Sequence, residues 1–162
     1  EALQMLSEKI RLREVEKYYL CIVHGKPEQP SGTLKGYHVK DAAANTVTIS
    51  KKPVPGSKIA LTRYRVLETQ GDKSLLEVEL LTGRTHQIRA QLAAMGHPLW
   101  GDAKYGSSRE NARLGNRQAL WAYKLTFAFT TPAGSLEYLR GRSFSIPVPF
   151  AGEPQPNKQE SE

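Results

Sequence analysis

The sequence predicts an α+β fold, an antiparallel or mixed β-sheet with few helices, and three observations carry that reading. Short runs rich in β-branched and aromatic residues follow one another with tight turns between them, which favours hairpins over βαβ crossovers. Only two stretches space their apolar residues as a helix does. The 162 residues, 39% hydrophobic and 24% charged, suit one globular domain with a sizeable core, and no linker or internal repeat divides them.

The elements follow in order. Leu3, Leu6 and Ile10 recur at helical spacing with Glu8, Lys9 and Arg11 between them, so the first segment reads as an amphipathic helix. It starts without an N-cap signal, as though cut from something longer. Residues 17–24, KYYLCIVH, read as a buried strand ending at Gly25. After a turn-rich stretch, residues 34–40 and 46–50 form short strands around the DAAAN turn. Pro53-Val54-Pro55-Gly56 marks the next turn. Residues 59–67 and 75–81 pair as a hairpin across Gly71-Asp72. A second helix carries Ile88, Leu92 and Met95 on one face, with Thr85 as its cap and Gly96 and Pro98 closing it. Residues 97–106 read as irregular and 107–118 as a mobile basic loop. Residues 119–131 and 143–148 read as strands, and 151–162 as a disordered acidic tail.

Composition excludes several classes. No apolar run is long enough for a membrane helix, and the charged N-terminal segment is no signal peptide. Cys21 is the single cysteine, so no internal disulfide forms, and a reducing cytoplasm fits. Lysine and arginine number 23 against 16 acidic residues, a net charge of +7. Residues 151–162 hold three Glu and one Lys, which leaves about +9 on residues 1–150. That excess attracts polyanions, nucleic acid first among them.

Chemistry concentrates in Thr82-Gly83-Arg84-Thr85-His86-Gln87-Ile88-Arg89, where two arginines, an imidazole and two hydroxyls meet a strand-to-helix junction. Free N–H groups and partial positive charge make such a junction a candidate anion site. An ordinary capped helix with exposed arginines explains the same residues. The other histidines, His24, His38 and His97, are scattered, so no metal site is expected. Tyr18 and Tyr19 serve either as core residues or as a stacking platform. No nucleophile elbow supports a Ser/His/Asp hydrolase, although a hydrolase using His86 stands as a third reading.

The run LLTGRTHQIRAQLAAMGHPLWGDAKYG, residues 80–106, closely resembles the signature of the RluA-type RNA pseudouridine synthases: a TGRTHQIR helix, then GHP, then GD-x-x-YG. Residues 17–25 look like that family's K-x-Y-x-A-x-V-x-G strand, and residues 118–125 like its late strand. The resemblance covers residues 1–150 and implies part of the pseudouridine synthase catalytic fold. It also implies a cofactor-free isomerisation of uridine to pseudouridine in structured RNA, ribosomal or transfer. In that chemistry an Asp adds to a flipped nucleotide, and the base detaches and rejoins through carbon. By motif, Arg89 is the cation that keeps the Asp ionised, Tyr19 the aromatic face for the base, and Leu120 a pocket wall. Arg84, Thr85, His86 and Gln87 take RNA contact or support of the fold. Arg109, Arg113 and Arg117 of the basic loop grip phosphates.

The sequence departs from the family at one decisive place. The nucleophile of the family lies in an H-R-L-D motif, and the aspartates here, Asp41, Asp72 and Asp102, have no R-L before them. Asp102 matches the GD turn instead. Gln91 and Trp121 stand where the family often has His. The chain thus resembles the C-terminal part of the catalytic domain, expected to be inactive alone, or a non-catalytic RNA-binding module. A sheet interrupted part-way also predicts an open edge through which two copies pair as a homodimer.

Overall fold

The computed structural model describes residues 1–106, 109–113 and 117–147. Seven strands form one antiparallel sheet among these residues: β1 (Val15–His24), β2 (Ser31–Asp41), β3 (Thr46–Ser50), β4 (Lys58–Gln70), β5 (Lys73–Leu80), β6 (Leu120–Phe127) and β7 (Ser143–Ser145). Their order is β3-β2-β4-β5-β1-β6-β7. Helix α1 (Ala2–Arg11) precedes the sheet, α2 (Gln87–Ala94) and the short α3 (Arg109–Arg113) lie between β5 and β6, and a 3-10 helix spans Gly134–Leu139. No described helix is long and apolar enough to cross a membrane.

The sheet is built around β1. Leu20, Cys21, Ile22 and Val23 are all buried, because this strand is paired on both edges and covered on both faces. Cys21 and Val23 join Tyr64, Leu76 and Val78 beneath Ile88 and Leu92 of α2. Leu20 and Ile22 face the other way, against Leu75, Trp100 and Ala119. The open edges are β3 and β7. The strand β1 is not at an edge: it lies between β5 and β6.

Helix α1 packs differently from its predicted face. Leu3 and Ile10 are exposed, at 78% and 43%. Leu6 packs as expected and, with Met5, lies against Val15, Phe127, Phe129 and Leu136, while Lys9 is the residue buried one turn on. The ammonium of Lys9 donates to a carboxylate oxygen of Glu14 at 2.8 Å, to the Thr131 carbonyl at 2.9 Å and to the Thr131 hydroxyl at 2.6 Å. Glu14 also accepts the backbone N–H groups of Thr130 and Thr131. A buried charge needs such complete pairing, and this cluster clamps α1 to the chain beyond β6.

Several boundaries differ from the sequence reading. The last two strands end at Phe127 and Ser145, short of 131 and 148, and residue 148 lies outside the described residues. The basic loop of 107–118 holds α3, nucleated around buried Asn111. Residues 107, 108 and 114–116 of that loop, and the acidic tail of 151–162, lie outside the described residues.

Acid titration tests the α1 clamp. The hydrogen bond from Lys9, with those from Thr130 and Thr131, lowers the Glu14 pKa to about 2 against an ordinary 4.5. Its contribution to stability is complete above pH 4.5 and is lost as pH falls through 2, since the unfolded chain binds the proton first. Thermal melts should show a falling midpoint across that window, and Glu14→Gln should lower the midpoint at pH 7 and flatten the fall.

Candidate functional site

Helix α2 carries the site, and two glutamines set its position. The Gln87 amide donates to the Leu61 carbonyl and the Thr62 hydroxyl, both at 2.8 Å, and its oxygen accepts from the Thr82 hydroxyl and the Arg84 N–H. Gln91 donates to the carbonyls of Ala60 and Leu34 and accepts from Thr62. Both are buried, at 2% and 3% exposure, so α2 is bolted to β4 by polar contacts that tolerate no sliding. Gln87, expected either to contact RNA or to support the fold, is buried among these partners within the protein. Thr85 is exposed and does not cap α2. His86 is the N-cap, in the left-handed region at φ 50°, and makes no side-chain capping bond.

With α2 fixed, Arg89 projects toward the loop after it. Its Nε donates to Asp102 Oδ2 at 2.8 Å and its Nη2 to Asp102 Oδ1 at 2.9 Å, a two-pronged pair. Asp102 is fully buried and also accepts the N–H groups of Lys104 and Tyr105. Burial alone would raise its pKa, but the Arg89 guanidinium and the two amides outweigh that and hold the carboxyl below its ordinary range. The same pairing raises Arg89 further above its ordinary value. Nη1 of Arg89 has no partner among the described residues, so one corner of the guanidinium is left for a second anion.

Tyr105 ties His86 to this pair. Its ring lies 5.1 Å from the Arg89 guanidinium carbon and edge-on to His86. The Val47 N–H donates to the Tyr105 hydroxyl at 3.1 Å, and that hydroxyl lies 2.8 Å from His86 Nδ1. The hydroxyl proton has no other acceptor among the described residues. Assigning that proton to Nδ1 puts the imidazole proton on Nε2. Burial first, then the cations of Arg89 and Lys104, lower the His86 pKa below 6.5, so the ring is neutral at pH 7 and presents an N–H donor.

The GD-x-x-YG run reads as the mechanics of that loop. Gly101 sits at φ +81°, and a Cβ there would come within 2.0 Å of the Arg117 carbonyl. A Cβ on Gly106 would meet Asn111 Nδ2 at 2.7 Å. Asn111 donates to the carbonyls of Leu99, Asp102 and Gly106 and accepts from Gly101 N–H and His24 Nε2. It therefore splints α3 to the loop that holds Arg89.

The remaining expected residues fall into two places. Tyr19 and Leu120 are half-buried on the α2 side of the sheet and pack against the cluster containing Ile88 and Leu92. The register, with Tyr19 opposite Ala122 and Cys21 opposite Leu120, puts both side chains on that face. Arg109, Arg113 and Arg117 are exposed around α3. Arg84 donates Nε–H to the Ile59 carbonyl at 3.1 Å. The roles of Tyr105 and Asn111 were not read from the sequence, although both lie in or beside the quoted run. Among the described residues no His, Cys, Asp or Glu cluster is placed to hold a metal.

Comparison with known proteins gives this geometry a context. The RNA pseudouridylate synthase family matches residues 1–94. An uncharacterized RNA pseudouridine synthase of Chlorobaculum parvum is 37% identical over 164 aligned residues, covering 91% of this chain and 48% of its own length. Ribosomal large subunit pseudouridine synthase D of Nitrosomonas europaea is 37% identical, over 74% of this chain and 36% of its own. A solved structure, human RNA pseudouridylate synthase domain containing 1, matches with a TM-score of 0.72 at 29% identity, over 91% of this chain and 60% of that one. The chain spans about half the length of the curated relatives it matches.

Two substitutions test the network. Asp102→Ala leaves the Arg89 guanidinium, 11% exposed, without its carboxylate and should cost up to about 3 kcal/mol of unfolding free energy in urea titrations. Tyr105→Phe keeps the ring over Arg89 but removes the donor to His86. Long-range 1H–15N spectra should then show the pure Nε2–H tautomer of the parent chain replaced by a tautomer mixture.

Proposed function

The chain belongs to the RNA pseudouridylate synthase family, and on that premise we propose that it supplies the target-uridine pocket of an enzyme that isomerises uridine to pseudouridine in structured RNA. The observation that carries the proposal is Arg89, held by Asp102 with Nη1 unpartnered among the described residues, on the face of the sheet that also presents Tyr19 and Leu120. Tyr19 stacks the flipped uracil, Leu120 lines its edge, and Arg89 keeps a nucleophilic carboxylate ionised. Neutral His86 donates Nε2–H to the RNA, with Arg84 and Thr85 beside it. Arg109, Arg113 and Arg117 meet phosphates.

The surroundings of the three aspartates support the reading that none of them is the nucleophile. Asp102 is buried and saturated by Arg89 and two amides. Asp41 accepts the Ala44 N–H in the β2–β3 turn, and Asp72 sits in the β4–β5 hairpin beside Lys73. Taken by itself the chain acts as an RNA-binding module with most of the pocket and without the covalent step. The RNA is ribosomal or transfer RNA; the name of the Nitrosomonas relative supports the ribosomal case. A buried free thiol at Cys21 suits action in the cytoplasm. Self-pairing falls to the sheet edges, where β7 carries exposed Phe144 with Ile146 just beyond it, and a purely monomeric sedimentation profile would remove it.

Two measurements test the pocket. RNA tritiated at uridine C5 should show no release above background with this chain, while filter retention of the RNA persists and weakens with salt. Release would return the nucleophile to Asp41, Asp72 or Asp102. Separately, Tyr19→Ala should weaken binding of a hairpin RNA with loop uridines by about 1–3 kcal/mol and leave binding of the matching abasic hairpin unchanged.

A further inference from the structure

A groove of about 340 Å³ opens where α1 turns into β1 and β5 runs into the loop before α2, and Arg11, Arg13, Lys17 and Arg84 line it. Two carboxylates share the groove, and both are engaged: Glu16 accepts from the Tyr18 hydroxyl at 2.7 Å, and Glu79 pairs with Arg63 at 3.1 Å. Among the described residues no carboxylate lies within ion-pair distance of Arg13, Lys17 or Arg84, and Arg11 has only a loose 3.7 Å contact with Glu8. The single side-chain bond of Arg84 among the described residues uses Nε, which leaves its terminal amino groups for the groove.

The backbone supplies a second, independent observation. Helix α1 ends in a Schellman turn: Arg13 N–H bonds the Ile10 carbonyl at 3.0 Å and Glu14 N–H the Lys9 carbonyl at 2.9 Å. The residue after the cap in that turn must be left-handed, and glycine fills it at least strain. Here it is Arg13, at φ 59°. A strained arginine aimed into a groove where glycine would fold more easily points to a job for its side chain.

We propose that this groove is a phosphate site that holds the backbone of the RNA strand adjoining the target nucleotide, through Arg13, Lys17 and Arg84. The proposal rests on the pocket reading above. Lys17 lies two residues before Tyr19 on β1, hence on the same face and about 7 Å along the strand, within the span of one nucleotide from a base stacked on Tyr19. Planar guanidinium forks and a lysine point charge suit phosphate oxygens.

The test is fluorescence anisotropy of a short fluorescein-labelled RNA hairpin with loop uridines, titrated with the full chain over a range of salt concentrations. Arg13→Gly combined with Lys17→Gln should flatten the plot of log affinity against log salt by roughly 0.7 for each phosphate no longer neutralised. Arg13→Gly alone should keep or raise the melting midpoint, since it relieves the left-handed strain, and this separates an effect of charge from an effect on folding. Lys51→Gln with Lys52→Gln removes equal charge from an exposed turn away from the groove and should leave the slope nearly unchanged. A wild-type slope in the groove variant overturns the site, as does an equal flattening by the control pair. Both outcomes leave the Tyr19 pocket standing if Tyr19→Ala still weakens binding of the uridine hairpin while leaving the abasic hairpin unaffected. A parent chain that does not bind the hairpin overturns both.

Discussion

The fork between Arg89 and Asp102 is the constraint on which the site depends. It joins a helix to a loop at the place where that loop also borders the sheet: Leu99 bridges Val23, Trp100 N–H bonds the Ile22 carbonyl, and Ala119 N–H bonds the Trp100 carbonyl. One ion pair thus sets the helix, the loop and the end of β1 against one another. A buried pair of this kind contributes less to stability than to uniqueness, since most of its Coulomb gain offsets desolvation. Its value lies in geometry. Two fixed bonds and an aromatic ring leave the guanidinium little freedom to rotate.

The polar interior of α2 works the same way. An apolar helix face could slide or roll on the sheet at little cost, because dispersion and burial are non-directional. Gln87 and Gln91, threaded into Thr62 and the carbonyls of Leu34, Ala60 and Leu61, remove that freedom. The fit also constrains the sheet beneath. A Cβ on Gly36 would come within 2.4 Å of the Ile49 side chain, so β2 and β3 lie close at this point. Function here is placed by directional bonds laid over an ordinary apolar core.

The legible part of the sequence was what local chemistry determines. Strand existence, the Gly71-Asp72 hairpin and α2 follow from periodicity and turn residues, and the candidate site around Arg89 is pointed to by the length of the 80–106 run. The parts missed are set by partners far along the chain. Ile10 looks like a core residue by spacing, yet burial goes to Lys9, because Glu14 and Thr131 wait to pair it. Thr85 looks like a cap, yet the left-handed His86 turns the chain before it can act. The polar 107–118 segment looks like a free loop, yet Asn111 finds at least five hydrogen-bonding groups around it among the described residues. Asp102 looks like a turn residue until α2 brings Arg89 against it.

The central place of β1 bears on how the chain acquires its shape. Tyr19 meets Val78 on one side and Ala122 on the other, so the strand that organises the sheet is made long before either neighbour. During synthesis its apolar run from Leu20 to Val23 has nothing to pair with until β5 emerges, and one edge stays open until β6 follows. Pairings so distant in sequence close slowly, and an unpaired apolar strand invites association with other chains in the interval. The charged residues on either side, Glu14, Glu16, Lys17 and Lys26, then act as gatekeepers that keep the nascent strand from its own kind.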